Sequence, residues 1–368
     1  MSMTSQHTTR CFFGCNAGSG FHTFFNFLPR LEGARIIIVK GGPGTGKSTF
    51  ISAIGETFAQ QGYDLEYQHC SLDPQSYDAV VVPALKAVVT AATGHHVFDP
   101  RNPGAVDEIL NLGDHWDTER IRQHSKEIIE INQEAERLFR KAFRVLNAAR
   151  QFLANVEDIH IAHQDPRELS AVAERIIADA LLRSNSEMYG AERHAYISSN
   201  TPEGAIHNIA SLLRPETTAL AVKGEAGMGR TKILADVAEK AKLRGFDVEY
   251  YHRPIDPHLL DHVHIPALNL LMTTQPDELP TQVIKESFTL QGKNSKRPTG
   301  LQDEISENMA RYEQTLSLAM QTLAQIKAEH GVLEKYYIDS MDFDGVSKRL
   351  AATIDSIARQ ASVSGQAS

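Results

Sequence analysis

Apolar residues along the chain fall into two kinds of run, and each kind occurs twice. The runs ARIIIVK (34–40) and TTALAVK (217–223) are short, unalternating and rich in Ile, Val and Ala. That pattern predicts strands buried on both faces of a parallel sheet. A glycine-rich octapeptide follows each run, then a stretch (48–60; 231–243) expected to be a helix that stops at Gly62 or Gly245. Second strands are expected in DLEYQHC and DVEYYHR, and third ones in AVVVP and HVHIP. Strand, loop, helix, strand is the βαβ order of an α/β domain.

The other kind of run has helical spacing. Ile121, Ile128, Ala135, Leu138, Ala142, Leu146, Ala149, Leu153 and Val156 recur mostly at intervals of three, four or seven, which marks an amphipathic helix. Forty such residues would extend about 60 Å. Ile305, Met309, Tyr312, Leu316, Met320, Leu323, Ile326 and Leu333 repeat the stripe. A shorter helix is expected after each, at 170–182 and 345–358. Each α/β unit is therefore expected to carry a long antiparallel helical hairpin, either packed as core or held out as an arm for a protein partner.

The two sets are copies. Slid by 183 residues, Lys40–Leu85 lies over Lys223–Leu268 without a gap, and 17 of 46 positions are identical. Chance gives roughly one identity in sixteen. Upstream, FFGCNAGSGF (12–21) faces YISSNTPEGA (196–205) more loosely. So long a period makes each unit a domain rather than a solenoid repeat. The expected fold is α/β, with two duplicated domains, each a parallel sheet flanked by helices. The first covers 1–190, with its hairpin at about 117–182; the second covers 191–368, with its hairpin at about 302–360.

Length agrees with two domains, since 368 residues can bury two ordinary cores. The net charge of −9 argues against broad nucleic-acid binding. Three cysteines, Cys11, Cys15 and Cys70, make no even disulfide framework and are expected as reduced thiols. No run of apolar residues is long enough to span a membrane, and the N-terminal MSMTSQHTTRCFF does not read as a secretory signal. A cytoplasmic setting is the expectation.

The chemistry lies in the octapeptides. Gly41, Gly42, Pro43, Gly44, Thr45, Gly46, Lys47 and Ser48 satisfy G-x-x-x-x-G-K-[ST] between an expected strand and an expected helix. Phosphate oxygens need several backbone N–H groups at once, and glycines let the backbone curl without obstruction. The helix N-terminus adds partial positive charge. Lys47 is expected on the β- and γ-phosphates, the Ser48 hydroxyl on Mg²⁺, and Thr49 on the α-phosphate.

Hydrolysis also needs an acid in the magnesium shell. The runs VVVP (80–83) and AVVTAAT (87–93) end without one, so Asp73, matched by Asp256, is the first candidate and Asp78, matched by Asp261, the next. Asp73 also sits in a turn-forming Asp-Pro. His95 and His96, adjacent and so on opposite faces of a strand, make poor joint metal ligands. The segment 290–300 is expected to be a polar loop whose Lys293, Lys296 and Arg297 could touch phosphate.

The second octapeptide, GEAGMGRT, keeps the frame through Gly224, Gly227, Gly229 and Thr231 but replaces the lysine with Arg230. A planar, forked guanidinium cannot take the lysine's compact place without shifting the phosphates. Glu225 adds a negative charge. The second site is expected to be degenerate, with Arg230 as a finger toward the first site the more adventurous alternative.

The loop and its βα setting resemble the P-loop NTPase superfamily. The tandem layout, the helical segment after each copy and the paired LDP and IPAL stretches resemble a bacterial family of tandem-P-loop proteins labelled ATPase or ATP-binding. The resemblance implies ATP binding. Arg230 and the missing strand-end acid depart from the pattern. The expected activity is Mg²⁺-dependent ATP hydrolysis at the first loop, with Lys47 and Asp73 as its catalytic residues. Two alternatives stand beside it. One is a nucleotide or small-molecule kinase whose helical lid carries Arg137, Arg140, Arg144 and Arg150; the other is a switch that binds ATP without turning it over.

Overall fold

The computed structural model describes residues 6–28, 34–92, 99–181, 188–293 and 299–364. His95, His96, Lys296 and Arg297 lie outside them. The first half contains β1 (Thr8–Cys11), β2 (Gly14–Ala17), β3 (Gly20–Thr23), β4 (Arg35–Lys40), α1 (Lys47–Gln60), β5 (Leu65–His69), β6 (Tyr77–Val82), β7 (Ala87–Ala91) and β8 (Asp107–Asn111). The helices α2 (Thr118–Arg122), α3 (Ser125–Ile161) and α4 (Pro166–Ala180) follow. The second half repeats the strands as β9 (Glu192–Ala195), β10 (Ser198–Thr201), β11 (Gly204–His207), β12 (Thr218–Lys223), β13 (Val248–Arg253), β14 (Asp256–Ile265), β15 (Leu270–Thr273) and β16 (Ile284–Thr289). Its helices are α5 (Arg230–Leu243), between β12 and β13, and the terminal α6 (Thr299–Ile338) and α7 (Phe343–Ser364).

Two six-stranded sheets have the same order, β1-β5-β6-β7-β4-β8 and β9-β13-β14-β15-β12-β16. Each is mixed rather than wholly parallel. β4 pairs in parallel with β7 and β8, and β1 with β5, but β5, β6 and β7 form an antiparallel meander. The reason is chain length. Only Pro83–Leu85 and Lys86, which takes φ 49°, separate β6 from β7. Such a turn can reverse a strand but cannot carry it back for a parallel return.

The unalternating strands are explained by burial on both faces. Ile36 and Ile38 join a core containing Ala79, Val88, Ala219 and Leu271, drawn from both sheets. Ile37 and Val39 point the other way, onto Phe50, Ile51 and Ile54 of α1. The second sheet does the same, with Val222 and Met272 against Ile233 and Val237 of α5. The layers therefore run helices, sheet, sheet, helices.

The long helices differ from the expected hairpins. α3 does not fold back onto α4; it packs antiparallel along α6. Leu138 and Ala142 meet Leu323 and Ile326, and Leu146, Ala149 and Leu153 meet Ala319 and Leu316. Buried positions 142, 146, 149, 153 and 156 alternate steps of four and three, the seam of a coiled coil. A 37-residue seam is covered along its length by a 40-residue helix, whereas α4, with 15 residues, is too short.

The shorter helices are exchanged. Leu169, Ala173 and Ile176 of α4 sit in the core of the second sheet with α5. Val346 and Ile357 of α7 sit in the core of the first sheet with α1. The segment expected to complete the first unit thus covers the second, and the reverse. Matching residues also join the halves reciprocally. Phe12 and Tyr196 exchange backbone bonds of 2.8 and 2.9 Å, and each of Asn16 and Asn200 donates its side-chain amide to the other's carbonyl, at 3.2 and 3.1 Å. Such reciprocity is that of a two-fold interface. No helix among the described residues is long and apolar enough to cross a membrane.

Candidate functional site

Both glycine loops leave the end of a strand one place in from the sheet edge, β4 or β12, and enter a helix. Gly44 and Gly46 take φ values of 68° and 85°, and Gly227 and Gly229 take 82° and 91°. Side chains other than glycine's are strained there. The two loops thus curl alike, and Gly46 and Gly229 cap α1 and α5. A helix N-terminus of this kind turns unpaired N–H groups toward an anion.

In the first loop Lys47 folds back so that Nζ donates to the carbonyls of Gly41 (3.1 Å) and Gly42 (2.5 Å). Thr45, buried, donates to Gly42 O at 2.8 Å. Burial pulls the Lys47 ammonium down to about 8, against the opposing charges of Glu334 and Asp78. The Ser48 hydroxyl accepts from Tyr77 N at 2.8 Å, which places it at the start of β6, beside Asp78. Pro43 is half-buried and Thr49 exposed.

Asp73 is engaged elsewhere. Its carboxylate takes Lys327 Nζ of α6 at 2.8 Å and the Ser76 hydroxyl at 2.5 Å. Burial works against its charge, but these bonds prevail and hold it below the usual carboxylate range. Asp78, by contrast, is buried and within electrostatic reach of Lys47. It also helps burial to keep the Cys70 thiol protonated. The strands beside β4 bring no acid at their ends, β7 stopping at Ala91 and β8 at Asn111.

The second loop departs side chain by side chain. Arg230 Nη1 turns away from the loop to Thr274 O, 2.9 Å, and burial, then Arg253, lowers its affinity for its proton. Thr231 donates to Leu260 O at 2.9 Å. Arg253, standing where the first half has Cys70, bonds Asp261 (2.9 Å) and Glu157 (3.0 Å). Glu157 also takes Arg150 at 2.9 Å, and Arg150 holds Asp256 at 2.6 Å.

What the sequence reading missed is the cover over each loop. The end of α6 and the start of α7 lie on the first. A methyl at Gly42 would come within 2.7 Å of the Tyr337 ring, and one at Gly44 within 2.7 Å of Glu334 O. The end of α3 and the start of α4 lie on the second. There a methyl at Gly227 would meet Glu157 Cα at 2.6 Å, and one at Gly229 the Leu169 side chain at 2.6 Å. His160 Nδ1 donates to Ala226 O at 2.5 Å with Nε2 2.9 Å from the Glu225 carboxylate, and Gln164 donates to Gly227 O. Lys293 N bonds His163 O at 2.8 Å. A signal for this existed: Glu157 and Glu334, Ile161 and Ile338, Asp165 and Asp342 are separated by one constant interval. That interval differs from the one that aligns the loops, so a single slide of the sequence passes over it.

Among the described residues no group of three or more His, Cys, Asp or Glu is placed to hold a metal. Magnesium at a nucleotide site asks less of the protein, usually one or two ligands beside phosphate oxygens and waters. Ser48 and Asp78 fit that demand in kind, and the Ser48 hydroxyl is bonded by the residue that precedes Asp78 in β6. A comparison with protein-family models, with characterised proteins and with solved structures returns no match.

Proposed function

We propose that the first loop binds ATP with magnesium and hydrolyses it, and that the second loop is its modified sibling, given over to structure. In this reading the chain is a duplicated P-loop NTPase. The observation that carries it is Lys47, a half-buried residue whose ammonium rests on its own loop's carbonyls at the head of α1 and is pulled below its ordinary value by desolvation. Those carbonyls stabilise it only in part, and a phosphate in the curl of Gly44 and Gly46 would supply the missing charge. Magnesium, when bound, neutralises developing phosphate charge; Ser48 and Asp78 are this chain's residues for it, Asp73 being held by Lys327 and Ser76.

The second loop supports the division of labour. Its carbonyls are taken by His160 and Gln164, and its nearby cations by Glu157 and Asp261. Of the arginines in the kinase alternative, one is firmly committed and two make exposed pairs worth little. Arg137 and Arg140 pair with Glu134 and Glu136 on their own helix, and Arg150 is held by Glu157 and Asp256. Free thiols at Cys11, Cys15 and Cys70 suit the cytoplasm, where ATP is found.

Titration calorimetry tests the reading. The expected result is one ATP bound per chain, with affinity reduced at least about 100-fold by Lys47→Ala, the loss of a charge-assisted contact to phosphate. Unchanged affinity in that variant would sink the proposal. Two equivalents of ATP would refute the closed second loop.

A further inference from the structure

We infer that Glu334, carried over the first loop by the second half's long helix, is the carboxylate that orients and deprotonates the attacking water. This rests on the reading of the first loop as an ATP site. Such a site needs an acceptor near the γ-phosphate, and the nearby strands do not supply one at their ends. Asp73 is committed to Lys327 and Ser76, and Asp78 lies buried in the sheet beside the hydroxyl that suits magnesium.

Glu334 differs from Asp78 in exposure and from Asp73 in its partner, a histidine at 3.4 Å rather than a lysine at 2.8 Å. Its side chain is 39% exposed, so water reaches it. Its main chain is seated against Gly44, where a methyl group would collide with its carbonyl. Among the acids acting on Lys47 its charge is felt most strongly. Lys327, His330 and Glu334 follow one another at helical spacing on one side of α6. Lys327 reaches Asp73 at 2.8 Å, and His330 Nδ1 stands 3.4 Å from Glu334 Oε1. The row ties that side of the helix to the loop end of the first sheet.

The second loop provides the contrast. Glu157 occupies the matching place on α3, but its side chain is only 8% exposed, is hydrogen-bonded by Arg253 and is ion-paired with Arg150. A carboxylate so held is a poor acceptor for a proton from water. The same acid thus anchors one loop and remains open to solvent at the other.

The step balances with water alone. The water oxygen bonds to the γ-phosphorus as the bond from that phosphorus to the bridging oxygen breaks, and its electron pair leaves with ADP. One water proton passes to Glu334 and from there to solvent, so the products are ADP, inorganic phosphate and a proton. A positioned base of this kind contributes about 10²–10⁴-fold.

Full-length protein, Glu334→Gln and Glu334→Asp should be compared for ATP binding and, with magnesium, for phosphate release. Glu334→Gln is expected to bind ATP within about threefold of the unaltered protein and to release phosphate at least about 100-fold more slowly. The nucleotide recovered from its complex should be ATP rather than ADP. Glu334→Asp, which keeps the charge but withdraws it, should fall between. Phosphate release by Glu334→Gln within about threefold of the unaltered protein overturns the inference and leaves the ATP reading standing. ATP binding without turnover by the unaltered protein overturns the inference and the proposed hydrolysis together, and leaves only ATP binding standing. Loss of binding in both variants assigns Glu334 a structural role and overturns it as well. Failure of the unaltered protein to bind ATP removes the ATP reading itself, and this inference with it.

Discussion

Lys47 and Arg230 occupy the same position on equivalent helices and do different things. The ammonium is compact enough to rest on Gly41 O and Gly42 O, whereas the longer fork of Arg230 reaches out to Thr274 O. Side-chain shape decides this, and it could be read from the residue types. Burial brings Lys47 in the free protein down to about 8, so above that pH it is largely neutral and, in the proposed ATP site, would have to take up a proton when phosphate binds. Binding then weakens as pH rises through that value and is flat below it. Calorimetry should show ATP affinity falling roughly tenfold between about pH 7.5 and about pH 9. Lys47→Arg, whose side chain does not titrate there, should remove the slope whatever affinity it retains.

Helices α3 and α6 show how an element can be legible while its partner is not. The steps of three and four predict each helix and its buried stripe, and Leu138, Ala142, Leu146, Ala149, Leu153 and Val156 are indeed buried. A stripe states that something apolar covers it, without saying what. The matching lengths and seams of α3 and α6 choose each other, and this frees α4 and α7 to cap opposite sheets. Leu146 is fully buried at the seam. Leu146→Ala should therefore destabilise the protein by about 2–5 kcal/mol, the cost of a lost core side chain and its cavity. Denaturant unfolding would check it. A cost under about 0.5 kcal/mol, as for an exposed position, would mean that the pair is not maintained in solution.

At the scale of the whole molecule the halves are joined by charge as well as by helix exchange. Arg193 of β9 is bonded by Glu66 of β5 and lies 3.3 Å from Glu249 of β13, so one guanidinium spans both sheets. Removing the guanidinium leaves two half-buried carboxylates short of a cation, although Glu249 keeps Tyr251 and His264, and the loss of such a charge-assisted bond costs about 1–3 kcal/mol. Arg193→Ala should lower stability by about that amount, measured by denaturant unfolding. Arg193→Ala together with Glu66→Gln should recover part of the loss, because one stranded charge is then removed. Absence of recovery would show that packing of the arginine stem, and not its charge, joins the halves.

Whatever depends on neighbours along the chain is legible in the residues alone. The glycine frames, the helices they enter, the buried strands, the amphipathic stripes and the difference between Lys47 and Arg230 all follow from local sterics, periodicity and charge. The internal repeat, identical at 17 of 46 aligned positions, was legible for the same reason. Only the tertiary structure decided which stripe covers which core, and so placed Glu334 and Tyr337 over the first loop and Glu157 and His160 over the second. Two nearly equivalent halves present nearly equivalent apolar surfaces, so hydrophobic pattern alone cannot tell a helix which sheet to join. Packing of the long helices against each other breaks that tie, because it commits the end of each to the opposite loop.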